Sequence, residues 1–179
     1  MTEPRRGHAG TSGAPSAIAG HTVVLRPVTA AHVADILAVV THPDVAKWWG
    51  GYDLARVRRE LLGPQGYAIE QHGRVVGVIL HYEHDDPDHR HASVDLALHP
   101  DAQGRGLGAD AVRALARHLV DVRGHHRLTI DPAVDNEGAI RCYTRVGFRR
   151  VGVLRRYERV PDGTWKDGLL MELLAEDLP

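Results

Sequence analysis

Gln103-Gly104-Arg105-Gly106-Leu107-Gly108 stands between an apolar run that ends at His99-Pro100 and a helical pattern that begins near Leu107. A strand that runs into a glycine-rich turn and then a helix leaves several backbone N–H groups free, with the positive end of the helix dipole behind them. Such a turn suits a diphosphate, because a side chain in place of glycine would hold the anion away from the backbone. Two other phosphate loops are excluded. No Lys follows Gly108, and glycines at 104, 106 and 108 do not fit Gly-x-Gly-x-x-Gly. What remains is Gln-x-x-Gly-x-Gly, a spacing that an ordinary turn before a helix could also show.

Other residues have types that do chemistry. Asp95 falls in the middle of Val94-Asp95-Leu96-Ala97-Leu98, where a charge is out of place in a plain core, although a solvent-facing or ion-paired carboxylate would also account for it. Asp131 ends a strand and precedes Pro132, a pair that routinely starts a turn. Asn136 has the type of a helix N-cap. Trp48-Trp49, followed by Gly50-Gly51, offers either a flat wall for a sugar ring or a pair of core anchors at a helix corner. The acidic stretch from Glu83 to Asp88 would attract amines. His81-x-x-His84 and His89-x-His91 have spacings a metal could use, but no Cys or carboxylate set accompanies them, and no metal is expected. Cys142 reads as a small buried residue.

The elements that must hold these residues follow from periodicity. Thr22 to Arg26 is an apolar, β-branched strand, and Ala30 to Val40 has apolar residues at helical spacing. Thr41-His42-Pro43-Asp44 breaks that helix, and a second runs from Asp53, its cap, to Leu62. Tyr67–Gln71 and Arg74–His84 form a hairpin about His72-Gly73, and Ser93–Leu98 is a further strand. Leu107, Ala111, Leu115, Leu119 and Val122 make the apolar stripe of one long helix. Arg127–Ile130 is a strand, Asn136–Val146 a helix stopped by Gly147, and Arg149–Val160 with Thr164–Leu174 a closing hairpin. This order predicts an α/β (α+β) fold, a mixed central sheet flanked by helices.

Composition narrows the class. The chain has 179 residues, which suits one domain with a substantial core. The net charge of −1 comes without a basic block, so no nucleic-acid surface is expected. The single cysteine excludes an internal disulfide and fits a reducing cytoplasm. No apolar run approaches the roughly 20 residues of a membrane span. Residues 1–20 are rich in Gly, Ala, Ser, Thr and Pro and are expected to be a disordered tail, leaving 21–179 as the domain.

Two stretches carry a resemblance. Gln103–Gly108 resembles the acyl-CoA pyrophosphate loop of the GCN5-related N-acetyltransferases (GNAT). Asn136-Glu137-Gly138-Ala139-Ile140-Arg141-Cys142-Tyr143-Thr144-Arg145-Val146-Gly147-Phe148 resembles the second signature of that superfamily. With Trp48-Trp49-Gly50-Gly51, Asp95 and Asp131-Pro132, residues 22–150 look like the aminoglycoside 6′-N-acetyltransferases. The resemblance implies a GNAT fold, acetyl-CoA as co-substrate and a cationic aminoglycoside as acceptor, in a monomer or homodimer. It implies Asp95 as general base and Tyr143 as general acid. Leu96, Ala97, Leu98 and Asn136 would hold the pantetheine arm, with Gln103, Gly104, Arg105, Gly106, Leu107 and Gly108 at the pyrophosphate. Trp48, Trp49, Asp95 and Asp131 would meet the acceptor. The last hairpin departs from this pattern: Arg155–Arg159 and Gly163–Met171 look more like relatives that acetylate the N-terminal alanines of ribosomal proteins. Acetylation of protein N-termini, and a non-catalytic acyl-CoA-binding module, therefore stand as alternatives.

Overall fold

The computed structural model describes residues 16–160 and 162–179. Eight strands form one sheet: β1 (Ile18–Ala19), β2 (Val24–Pro27), β3 (Gly66–Gln71), β4 (Arg74–His84), β5 (His91–Leu98), β6 (Arg127–Ile130), β7 (Arg149–Arg159) and β8 (Trp165–Leu174). Their order is β1-β2-β3-β4-β5-β6-β8-β7, and every neighbouring pair is antiparallel except β5–β6. The helices are α1 (Val33–Thr41), α2 (Pro43–Ala46), α3 (Leu54–Glu60), α4 (Leu107–Arg117) and α5 (Glu137–Val146). The expected α/β sheet flanked by helices is the one found.

Alternation along the strands sends side chains to two cores. Tyr67, Ile69, Ile79, Ala92 and Val94 pack with α4 and α5, while Ala68, Val78, Leu80 and Ala97 pack with α1 to α3. Asp95 has the parity of Ala97, so it emerges on the α1–α3 side.

The parallel pair is short. β5 and β6 match only at Ala92↔Leu128 and Ser93↔Thr129, yet β5 continues to Leu98. Beyond Ser93 the two strands separate, and one edge of residues 94–98 is left without strand neighbours. Unpaired edge groups need partners, so this split opens the sheet toward a ligand.

Four local features differ from expectation. Ile18 and Ala19 pair with Leu25 and Val24, so the sheet begins inside the segment read as tail, whose residues 1–15 lie outside the described residues. The Asp110 carboxylate anchors that start by accepting from the N–H groups of His21, Thr22 and Val23 and from the Thr22 hydroxyl. Pro43, expected only to break a helix, also opens α2 from its first position, where its missing N–H costs nothing. The third difference is at the end of α4, where His118–Val122 forms a π-turn. The wider turn shifts the helical phase, and Val122, expected on the apolar stripe, is 70% exposed. Fourth, β7 is bulged between Leu154 and Glu158, with Arg156 at φ 49°. Among the described residues no helix is long and apolar enough to cross a membrane.

Candidate active site

The split between β5 and β6 opens into a cavity of about 610 Å³ that reaches from the α4 N-terminus to the β7–β8 hairpin. Its two ends are chemically opposite.

At the first end, the Gly104 and Gly106 backbones have φ of 72° and 82°, with open space where a Cβ would stand. Glycine is needed there for conformation, since the left-handed region strains other residues. The first intrahelical bond of α4 runs from Asp110 N to Gly106 O at 3.1 Å. The N–H groups of Leu107, Gly108 and Ala109 are therefore free of helical partners. Gly108 has a different reason: a Cβ would come within 3.2 Å of Leu98 Cδ1 and 3.3 Å of Cys142 Sγ, so its absence lets α4 approach β5 and α5. Gln103 Nε2 donates to the Leu98 carbonyl at 2.9 Å and ties the turn to the strand. Asn136 caps α5 by accepting from Ala139 N at 3.1 Å, and it also lines the cavity.

Not all of the hexapeptide faces inward. Gln103, Gly104, Gly106 and Gly108 line the cavity, whereas the Leu107 side chain is in the core and Arg105 is exposed outside the lining. Arg141 and Arg145, one turn apart on α5, line this end and add positive charge. An i, i+4 pair of arginines on the helix opened by Asn136 was the sequence signal for them.

At the second end, Asp95 accepts from Trp49 Nε1–H at 3.1 Å and from Leu96 N–H at 2.8 Å. Both bonds go to Oδ1, no described residue donates to Oδ2, and Asp95 lines the cavity. Water reaches the carboxyl, but protein surrounds it. Desolvation is the main cause that lifts its pKa to about 7, with Asp131 and Glu158 adding repulsion while Leu96 and Trp49 oppose the rise. Tyr143, on α5, is 5% exposed, and burial first, then the charge of Asp95, pushes its phenol well above the ordinary value. A neutral phenol thus borders a carboxyl poised near neutrality. Burial likewise pushes the Cys142 thiol up to about 11, which keeps it a protonated packing group.

The tryptophans divide. Trp49 stacks on Tyr52 at 5.4 Å besides holding Asp95. Trp48 is half-buried at the cavity edge. Asp131 accepts from the Tyr157 hydroxyl at 2.5 Å, a bond that is the first cause of the rise of that phenol to about 12. Glu158 beside it is raised by burial, against the pull of Lys166.

Tyr157 and Glu158 escaped the sequence reading. They reach the cavity because the bulge of β7 turns them in, and Asp167 Oδ1 holds that bulge through Arg156 N at 2.7 Å. The faint signal was one acidic residue within Arg155-Arg156-Tyr157-Glu158-Arg159. Arg56, on α3, lines the same end and covers Tyr52 at 4.2 Å.

The acidic loop proves to be misread. Glu83 points inward and accepts from Arg123 at 2.7 Å and His125 at 2.7 Å, and no residue from 83 to 88 lines the cavity. Burial alone would raise the Glu83 carboxyl, but Arg123 and His125 hold it below the usual range.

Known proteins resemble this chain in sequence and fold. The profile described as "Acetyltransferase (GNAT) domain" matches residues 22–149. The aminoglycoside N(6′)-acetyltransferase type 1 of Klebsiella pneumoniae is 30% identical over 166 residues, covering 79% of this chain and 79% of its own length. The N-alpha-acetyltransferase RimI of Mycobacterium tuberculosis is 40% identical over 65 residues, covering 36% of this chain and 39% of itself. Among solved structures, AAC(6′)-Ib in complex with paromomycin and acetyl-CoA superposes with a TM-score of 0.71 at 25% identity, covering 87% of this chain and 95% of that one.

Proposed function

The chain belongs to the GNAT acetyltransferase family, and on that premise we propose that it transfers an acetyl group from acetyl-CoA to the 6′-amine of an aminoglycoside. One observation carries this reading. Asp95, with its carboxyl lifted to about 7, stands with Asp131 and Glu158 in the same cavity as the glycine turn. A cluster of carboxylates suits an acceptor with several ammonium groups, and the opposite end suits a diphosphate. The similarity to aminoglycoside acetyltransferases supports that choice of acceptor.

An ammonium must lose a proton before its nitrogen can attack a thioester. Asp95 binds the charged amine and accepts that proton through Oδ2, directly or through water, because Trp49 and Leu96 engage only Oδ1. Acetyl-CoA supplies the thioester carbon: the N–C bond forms as the C–S bond breaks. Tyr143, kept protonated by burial, gives a proton to the departing sulfur. The β5 edge at Leu96, Ala97 and Leu98, which lacks a strand neighbour and has two groups already taken by Asp95 and Gln103, receives the pantetheine arm together with Asn136. The backbone N–H groups after Gly106 take the pyrophosphate, and Gln103 and Gly104 shape that turn. Arg105 serves from outside the cavity, and Leu107 contributes its N–H alone. Trp48, Trp49 and Asp131 border the acceptor. Such an enzyme would confer drug resistance from the cytoplasm.

The hairpin and the partial similarity to RimI favour a second reading, acetylation of a protein N-terminus. Acetyl-CoA consumption with kanamycin, tobramycin or sisomicin, set beside an Ala-starting peptide, separates the two. Turnover of the drugs is expected. Turnover of the peptide alone would install the second reading, and tight acetyl-CoA binding with no acceptor turned over would mark a binding module.

A further inference from the structure

The hairpin that closes the acceptor end brings a cation to its border, just outside the residues that line the cavity. Lys166 stands directly across from Glu158 in the β7–β8 register, and Glu158 and Trp48 both line the cavity. The Lys166 ammonium lies 5.1 Å from the Trp48 ring centroid and donates to the Lys47 carbonyl at 3.3 Å. The same ring draws the Lys47 ammonium to 5.6 Å. Indole is the best aromatic face for a cation. Two lysines converging on one ring mark a place where positive charge is favoured; Lys47 also has Asp44 Oδ1 at 3.4 Å, so its repulsion falls mainly on Lys166, the lysine without a carboxylate partner among the described residues.

Lys166 is also poorly satisfied. An ammonium has three donors, yet this one makes a single long hydrogen bond to a carbonyl, and among the described residues it has no ion pair. Its side chain is half-buried, an unusual place for an unpaired lysine. A weakly held cation between an indole face and a carboxylate can be displaced by another cation.

We propose that Lys166 is a tethered stand-in for a second ammonium of the acceptor: when the reacting amine lies at Asp95, another ammonium of the same molecule takes the place between Trp48 and Glu158, and Lys166 swings out. The inference rests on the reading that a polycationic amine is acetylated at Asp95. An acceptor with one amine carries nothing to displace Lys166. The side chain therefore sets how strongly the site prefers polycations, which must compete with a group of the protein itself.

Titration calorimetry of the full chain with tobramycin tests this. Lys166→Met should tighten tobramycin at least fivefold, with acetyl-CoA affinity retained as the report of an intact fold. In Lys166→Met combined with Glu158→Gln that gain should vanish, because the vacated place has lost its carboxylate. Arg159→Gln removes a positive charge from the same hairpin away from Trp48 and should change the affinity less than twofold. Unchanged tobramycin affinity in Lys166→Met, a gain that survives Glu158→Gln, or an equal gain from Arg159→Gln overturns the inference. If wild type still acetylates tobramycin in that event, only the inference falls. If neither wild type nor Lys166→Met binds tobramycin while both bind acetyl-CoA, the acceptor reading falls with it.

Discussion

At the glycine end of the cavity, one hexapeptide and the helix it opens leave backbone N–H donors free, with Asn136, Arg141 and Arg145 of the α5 segment beside them. At the acceptor end, the groups are side chains gathered from distant parts of the chain: Trp49 from the corner after α2, Asp95 from β5, Asp131 after β6, Tyr157 and Glu158 from β7. A backbone site is positioned by local conformation and tolerates changes around it. A side-chain site assembled from separate strands depends on the register and bulges that aim each member. The contrast predicts that substitutions at the two ends separate cleanly: the glycine end should govern affinity for acetyl-CoA, the acceptor end should govern the amine and its proton.

Asp95→Asn is the strongest attempt to break that separation. It should lower kcat by about 100-fold or more, the scale of general-base contributions, and leave the Kd of acetyl-CoA unaltered in calorimetry. The wild-type profile of kcat/KM should rise with pH through an inflection near 7, as the raised Asp95 carboxyl loses its proton, and that inflection should be missing in the variant. Wild-type turnover in Asp95→Asn would remove this carboxyl from the chemistry.

Gly106→Ala probes the opposite end. Its φ of 82° would strain a Cβ although no neighbour clashes with it. A penalty of about 1–2 kcal/mol for that conformation corresponds to a rise of about 5- to 30-fold in the KM of acetyl-CoA. The KM of the amine should stay near wild type. Equal effects on both constants would show that the two ends are not independent.

A smaller effect is expected from Tyr157→Phe. It removes one hydrogen bond to a carboxylate, and a loss of about 1.5–3 kcal/mol is the upper range for such a bond before solvent screening reduces it. Because Tyr157 is half exposed, the KM of the acceptor should change only severalfold, with acetyl-CoA unaffected. A shift in acetyl-CoA affinity would instead assign Tyr157 to the glycine end.

The last effect is on stability. The folded-state pKa of Asp95 is raised, so the native protein holds a proton that the unfolded chain has released between the ordinary carboxylate range and about 7. Its contribution therefore weakens stability as pH rises through that window. Asp95→Asn, which has no charge to desolvate, should melt slightly above wild type at pH 8, a gain that water at this exposed residue keeps small, and lose that advantage near pH 4. Identical melting curves at both pH values would contradict the raised carboxyl of Asp95.

The acidic segment and the hairpin show where local reading fails. Glu83 lies near the end of the strand that periodicity predicts and reads as one charged group with the acidic residues after it. What the sequence does not report is that Arg123 and His125, from beyond α4, capture its carboxylate. Tyr157 and Glu158 stand among arginines in an exposed edge strand, and nothing in their spacing reports a bulge. That bulge depends on Asp167 of the neighbouring strand.

The sequence by itself determined the elements with short-range causes: the glycine turn and its helix, the Asn136 cap, the placement of Asp95 in mid-strand, and the two-faced alternation of β3 to β5. Each follows from bonding and sterics within a few residues. Only the tertiary structure decided that β5 and β6 part after Ser93, that protein and the charges of Asp131 and Glu158 around Asp95 lift its carboxyl, and that the hairpin turns Tyr157 and Glu158 into the cavity. Those outcomes depend on desolvation and on pairing between residues far apart in the chain, and no local pattern encodes either.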